Sequence, residues 1–420
     1  MPKNIFVLGL DAGNRRRLED LPASAEYRFH PLLSTDELLS GDIDLSGLLD
    51  KARDELDAFD GAIDAIVGYW DFPVSSMVPI LCQERSLPTA PLEAVLKCEH
   101  KYWSRLEQQS SIDEYPAFAT VGLRDRGPPE AIPYPMWIKP VKAFSSELAF
   151  RVADDDTFRS ALADIRAGID RVGSAFDIAL SYVDLPDEIA QLGGAACMAE
   201  EAVSGQQVTV EGFHDGTTAH VYGIVEAHNY DNTPSFHCYL YPSRLPEDVV
   251  ERLSDISRRV IEHIGLTTVF NIEYFWNRST GALHLLEINP RQSQSHARLF
   301  EQVDGLPNHH CMIELALGRV PDPPARRGQY PMAAKWFHRR FADGLVRRAP
   351  TDPEIESVER DIPGVHVEVE AREGIRLSEM PEQDSYSYNL AVVHVGGADE
   401  HELRDKYERC LEALVFDFED

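Results

Sequence analysis

The residues best suited to chemistry lie between 269 and 300, VFNIEYFWNRSTGALHLLEINPRQSQSHARLF. Glu273, Glu287 and Asn289 bring two carboxylates and an amide oxygen into one short segment, and Arg291 follows two residues later. Oxygen ligands of this kind suit Mg²⁺, which shares its coordination shell with nucleotide phosphates. A guanidinium beside them can neutralise charge on a transferring phosphoryl or acyl-phosphate group. By pattern alone the simpler reading is a half-buried hairpin with a solvated acidic face and a chance Asn-Pro-Arg.

The elements that must hold these groups are two strands and a turn. Residues 271–276 alternate and are rich in aromatics, 277–281 (NRSTG) have turn chemistry, and 282–289 form the second strand. Alternation puts Leu285, Glu287 and Asn289 on one face and His284, Leu286 and Ile288 on the other. A turn that sets Trp276 opposite Ala282 places Glu273 opposite Leu285 and diagonal to Glu287, roughly 7–8 Å away.

The wider chain constrains the reading. At 420 residues it exceeds one ordinary domain, so two or three modules are expected. No apolar run reaches about 18 residues, so no transmembrane helix is expected, and the N-terminal run MPKNIFVLGLDAGN reads as a first strand rather than a signal peptide. A formal charge of −31 argues against nucleic acid or an anionic membrane as partner. It leaves room for ATP, because local Lys and Arg can build a site inside an acidic protein. Six scattered cysteines without a CxxC pair fit reduced thiols in a cytoplasmic protein.

Strands at 4–10, 27–33 and 63–69 alternate with helices, including 38–59 and 75–85, which implies a small parallel open sheet. Trp70 and Asp71 fall at the carboxyl end of its third strand, where open sheets place ligands; a surface turn is the alternative. One helix is expected over 92–108, with Lys97, Lys101 and Arg105 along one face. A strand–turn–strand unit follows at 136–152, then a hairpin over 206–227, a helix over 245–264 ending at Gly265, a helix over 308–317, and a tail of short strands with a closing helix.

Four separated pieces line up in one order: KCEHKYWSRL, WIKPVKAFSS, MAEEAVSGQQVTVEG, and FNIEYFW with LLEINPRQSQSH. Together they resemble the ATP-grasp superfamily of carboxylate–amine ligases, and are similar to biotin carboxylase, carbamoyl phosphate synthetase and the L-amino acid ligases. The resemblance implies an α/β chain of three modules. These are a pre-ATP-grasp open parallel sheet over 1–95, a split ATP-grasp domain over 96–325 with a lid at about 115–205, and a small C-terminal α+β cap over 326–420.

It also implies roles. Lys101 would reach nucleotide phosphate and Lys139 the α/β-phosphates. Ser145 and Ser146 belong to the loop at 143–146 that folds over the phosphates, where the family often has glycines. Glu200 would meet the adenine amino group, assisted by the backbone of Glu201 and Val203, with Leu286 also on the nucleotide. Gln207 stands where the family commonly has a ribose-binding Glu, and Glu211 is a candidate substitute. Glu273, Glu287 and Asn289 would hold the metal, and Arg291 would steady the acyl phosphate. Ser293, Ser295 and His296, with Trp70 and Asp71, would line the substrates. The implied cofactors are ATP and Mg²⁺ or Mn²⁺. The implied partners are a small-molecule carboxylate and an amine, and the implied assembly is a homodimer. Two alternatives stand beside the amide-forming ligase. The first, bicarbonate activation in the manner of biotin carboxylase or a carbamoyl-phosphate-type half, is disfavoured by Ser295, which stands where biotin carboxylase typically has a Glu before the His. The second is an ATP-binding regulatory protein without turnover.

Overall fold

The computed structural model describes residues 2–143, 147–231, 233, 235–322, 326–380, 383 and 386–419. Strands β1 (Lys3–Leu8), β2 (Tyr27–Leu32) and β3 (Ala65–Val67) form a parallel sheet in the order β2-β1-β3. This is the open sheet expected from the alternation of strands and helices. The third strand is shorter than expected, so Trp70 and Asp71 sit in the loop beyond it. The expected helix over 38–59 is two, Thr35–Leu39 and Leu45–Asp57, each opened by its own side-chain cap from Ser34 and Asp44.

A second sheet joins β4 (Phe118–Val121), β5 (Met136–Pro140), β6 (Phe150–Val152) and β7 (Cys197–Glu201) in the antiparallel order β4-β7-β5-β6. The largest sheet begins with β8 (Gln206–His214), β9 (Ala219–Asn229), β10 (Phe236–Tyr241), β11 (Val269–Trp276), β12 (Leu283–Asn289) and β13 (Met332–Arg340). Of the remaining strands, β14 (Leu345–Arg348) pairs with β17 (Asp417–Glu419), while β15 (Val365–Val369) and β16 (Tyr388–Gly397) complete the large sheet. Its order is β12-β11-β8-β9-β10-β13-β16-β15, with every neighbouring pair antiparallel. The C-terminal strands therefore continue the sheet that bears the acidic hairpin, through β10 and β13, two strands that sequence periodicity did not single out.

One face of this sheet is closed by the helix Glu247–Ile264. Glu247 and Asp248 occupy its first turn, where the helix dipole favours acids, and Gly265 ends it at φ +75°. Its buried stripe of Val249, Leu253, Ile256, Val260 and Ile264 packs against Val208, Val210, Ile272, Tyr274 and Leu285. The other face is left for polar groups. Gly205 brings the start of β8 against the end of β11: a Cβ there would lie 2.4 Å from the Trp276 carbonyl oxygen.

The helix expected over 92–108 is broken. Leu92–Glu99 and Lys101–Ser111 meet at His100, whose backbone leaves the helical region at ψ 99°. His100 Nδ1 accepts from Trp103 N at 3.1 Å and so caps the second helix. The break turns Lys101 towards the second sheet, where its N–H donates to Val141 O at 2.7 Å. Lys97, Lys101 and Arg105 are consequently not one solvated stripe; each has a different carboxylate partner. No described helix is long and apolar enough to cross a membrane, and all six cysteines are free and buried.

Candidate active site

The acidic hairpin forms, in a register different from the one expected. Trp276 pairs with Leu283 and Glu273 lies directly opposite Glu287. The turn shifts the pairing by one residue, setting Tyr274 against Leu285, and a bulge at Leu286 adds a second, setting Glu273 against Glu287. One extra residue reverses the face of everything beyond it. Leu285 is therefore buried in the core with Tyr274 and Ile288, not beside Glu287 as simple alternation required. Glu273, Glu287 and Asn289 together line a cavity of about 460 Å³ on the open face of the sheet.

Asn289 is oriented by a relay. Its Nδ2 donates to Asn271 Oδ1 at 3.1 Å, and Asn271 Nδ2 donates to Glu211 Oε1 at 2.9 Å. The amide oxygen of Asn289 is left as the free acceptor of the pair. Glu211, considered above for ribose, is instead wholly buried and serves the loop after β12. It accepts from Ser293 N at 3.1 Å and Tyr222 OH at 3.3 Å, and meets His296 Nδ1 at 3.0 Å. No side of it is left for a ligand.

The cations reach this face from three segments. Lys101 Nζ donates to Glu287 Oε1 at 2.5 Å and to Ala143 O at 2.9 Å. Arg291 Nε and Nη2 each donate to an oxygen of Asp71 at 2.7 Å. Lys142 is buried and contacts Glu99 Oε2. The remaining lysine, Lys139, lies 2.6 Å from Glu200 Oε2, while Arg105 Nε donates to Glu200 Oε1 at 2.9 Å. Arg105 also reaches β12, donating to Leu285 O at 3.1 Å and Leu286 O at 2.6 Å. It thus clasps the bulge to the second sheet.

Electrostatics separate the two glutamates of the hairpin. Burial raises the Glu273 carboxyl above its usual range, and the charge of Glu287 opposite adds to the effect. Burial also opposes ionisation of Glu287, but Lys101 and then Lys139 and Lys142 outweigh it and hold that carboxyl low. Among the described residues the hydrogen-bond donor to Glu273 is Gln207, whose Nε2 donates to Oε2 at 2.9 Å. No cation of the described residues bonds Glu273 directly, and a bound divalent cation would supply one. Among the described residues no three His, Cys, Asp or Glu converge as a metal cage. Two carboxylates and one amide oxygen leave coordination positions for phosphate and water, a donor set that fits Mg²⁺. Burial likewise pushes Lys142 down to about 8, with Asp71 and Glu287 opposing the shift.

The structure brings Asp71, Gln207, Glu273, Glu287, Asn289, Arg291, Ser293 and His296 around one cavity, with Lys101 bonded to Glu287. Glu200 is buried between its two cations. Glu201 N donates to Ala117 O at 2.9 Å, and Val203 N to Glu201 O at 3.0 Å. Trp70 is not among the cavity's lining residues; its Nε1 donates to Gly9 O at 2.9 Å. Ser295 accepts from Lys335 Nζ at 2.6 Å, on β13. Ser145 and Ser146 lie outside the described residues. Sequence reading missed Glu99, Lys142 and Tyr239 as lining residues. For Lys142 a signal existed: it stands three residues after Lys139 at the edge of a small-residue turn.

Residues 132–297 match the family model described as the ATP-grasp domain. Across its whole length the fold is similar to that of L-amino acid ligase from Bacillus licheniformis, with a TM-score of 0.76 at 15% identity, covering 100% of this chain and 99% of that one. Biotin carboxylase from Campylobacter jejuni superposes with a TM-score of 0.65 at 12% identity, over 100% of this chain and 92% of that one. In sequence, 142 residues are 24% identical to the carbamoyl phosphate synthase large chain of Thermoanaerobacter sp. (strain X514), covering 33% of this chain and 13% of that relative. The chain thus spans only a small part of that relative's length. The ATP-grasp match is thus confined to residues 132–297, and the chain as a whole has the fold of these solved structures.

Proposed function

We propose that this chain is an ATP-dependent, ADP-forming ligase that activates a substrate carboxylate as an acyl phosphate and transfers the acyl group to an amine, of an amino acid or peptide. One observation carries the reading. Glu273 and Glu287 face each other at the edge of a cavity that Asn289 and Arg291 also line, and Lys101 reaches Glu287 from a separate helix.

Glu273, Glu287 and Asn289 would hold Mg²⁺ or Mn²⁺, which neutralises charge on the nucleotide phosphates when bound. Lys101 and Lys139, with Ser145 and Ser146, are the residues we assign to the phosphates. Glu200, Glu201, Val203 and Leu286 are those we assign to the base, and Gln207 bridges from the metal end. In the first step a carboxylate oxygen attacks the γ-phosphorus, the bond to the β-phosphate oxygen breaks, and ADP leaves. In the second an amine nitrogen attacks the acyl carbon, phosphate departs and the amine gives up a proton to solvent. Arg291 is placed to balance the oxyanion that develops between the two. A lid closing over this face would limit water, which would otherwise hydrolyse the acyl phosphate.

We read the chain as modules at 1–95, 96–325 and 326–420, with the lid at about 115–205. Six free, buried thiols accord with a reducing cytoplasm. The test is ADP and phosphate release across a panel of acids, with hydroxylamine as a general acceptor that traps the acyl group as a hydroxamate. Acid-dependent ADP release with hydroxamate is expected. ATP binding without turnover on any acid would favour a regulatory protein, and turnover with bicarbonate alone would favour carboxylation.

A further inference from the structure

A second cavity, of about 330 Å³, lies apart from the acidic hairpin. Its walls come from the end of β3 and the helix Val74–Glu84, from residues 88–95, from the chain entering β11, and from the helix His309–Ala316. The lining is mainly apolar and includes Val78, Pro79, Val95, Met312, Leu315 and Ala316. The charged groups at its margin already have partners. Asp215 Oδ1 accepts from Thr217 N at 2.7 Å and from Thr218 N at 2.9 Å, and Oδ2 meets His220 Nε2 at 3.1 Å. Arg319 Nη1 lies 3.5 Å from Glu314 Oε1, and Arg291 is held by both oxygens of Asp71. Burial lowers the pKa of His214, which keeps that ring neutral. Thr267 and Thr268 differ from these groups. Both line the cavity half-buried, and among the described residues neither hydroxyl has a hydrogen-bond partner. An enclosed, mostly apolar space with a few free polar groups has the character of a small-molecule site.

We infer that this cavity is an inhibitory effector site for a small uncharged molecule with an apolar ring and one hydroxyl, which Thr267 and Thr268 recognise. An ion would leave water for walls that hold no unanswered charge, and this disfavours it. Water finds few partners on so apolar a lining. The walls run directly into the reaction cavity. Residues 66–68 lead to Asp71, residues 267–269 lead along β11 to Asn271 and Glu273, and Pro290 joins Asn289 to Arg291. Arg291 lines both cavities. The effector cavity has its shape while Arg291 is paired with Asp71. A molecule that fits it favours that pairing and withholds the arginine from the acyl phosphate, so the effect is inhibition. The binding site goes beyond the ligase reading and stands without it; only the inhibition rests on that reading.

The test titrates the full chain with 4-methylphenol and with toluene by calorimetry. The phenol should bind, and toluene should bind about twofold to tenfold more weakly for want of one neutral hydrogen bond. Ala316→Trp, which fills the cavity, should abolish binding of the phenol, and Thr267→Val/Thr268→Val should level the two compounds. With Mg-ATP, hydroxylamine and an accepted acid, saturating 4-methylphenol should lower kcat/KM for the acid by about fivefold or more in the native chain. It should have no effect in Ala316→Trp. Failure of both compounds to bind, or binding undiminished in Ala316→Trp, overturns the site. Binding of 4-methylbenzenesulfonate that is lost in Ala316→Trp overturns its neutrality. Turnover undiminished at saturation overturns the effector role. No hydroxamate from any acid overturns the ligase reading, and the binding comparison still decides the site. Should Ala316→Trp fold poorly, the double threonine variant carries the comparison.

Discussion

Two glutamate–lysine clusters flank the strand β12, and they are built on opposite principles. At one, Glu200 is buried between Arg105 and Lys139. Burial opposes its ionisation, but the two cations outweigh the penalty and hold its carboxyl below the usual range. At the other, Glu273 and Glu287 face each other with one lysine, Lys101, bound to Glu287 and only a neutral amide on Glu273. The first cluster has its counter-charges built in. In the second, the Glu273 pKa is raised by burial and by Glu287, without a directly bonded cation among the described residues. The two clusters thus differ in whether every carboxylate is directly ion-paired: Glu200 is, on both oxygens, and Glu273 is not.

The sharpest way to break this contrast is to remove the charge of the second cluster. Glu287→Gln, or Arg291→Ala, should reduce acid-dependent ADP formation by at least about a hundredfold. Stability to denaturant should fall modestly in Glu287→Gln, because the lysines that hold Glu287 ionised lose their partner. Normal turnover in both variants would refute the site. The first cluster should respond chiefly in stability. Arg105→Met strips one cation from a buried carboxylate and two donors from the bulge carbonyls, so unfolding free energy should fall by about 3–5 kcal/mol. A denaturation midpoint equal to that of the native chain would show that the two clusters do not differ as described.

Acid should attack the junction that feeds both clusters. His100 directs Lys101 to one cluster and the helix bearing Arg105 to the other, and burial pulls its pKa down to about 4. The folded value lies below the unfolded one of about 6.5, so the unfolded chain takes up its proton first as pH falls. This contribution to stability is complete above pH ~6.5 and is lost between there and about 4, to a limit of about 3 kcal/mol. His100→Asn retains a capping acceptor that cannot titrate. Its melting temperature should fall less steeply over that window than that of the native chain. The smallest effect is expected at Gln207, the neutral partner of Glu273. Gln207→Ala should shift the KM for ATP by less than about tenfold, since a single neutral hydrogen bond contributes about 1 kcal/mol, and should leave stability alone.

Much of this was legible in the chain. The alternation of short strands and helices gave the open parallel sheet. The order of Lys101, Lys139, Glu200, Glu273, Glu287, Asn289 and Arg291 pointed to the ATP-grasp superfamily, whose domain model matches residues 132–297. Residue type and order carry that information because each group is defined by its own chemistry. Partnership was not legible. Period-2 alternation assigns faces only while the count of residues is unbroken, and the bulge at Leu286 breaks it, bringing Glu273 opposite Glu287 and sending Leu285 to the core. The donors that clasp this bulge come from Arg105, far away in the chain, on a helix whose direction depends on the break at His100. Lys142, just beyond β5, and Glu99, at the end of the helix Leu92–Glu99, likewise meet only through tertiary packing. Such pairings are set by long-range packing, which no local pattern records. The sequence by itself determined which charges the site contains, and the tertiary structure alone decided which are already answered and which still wait for a ligand.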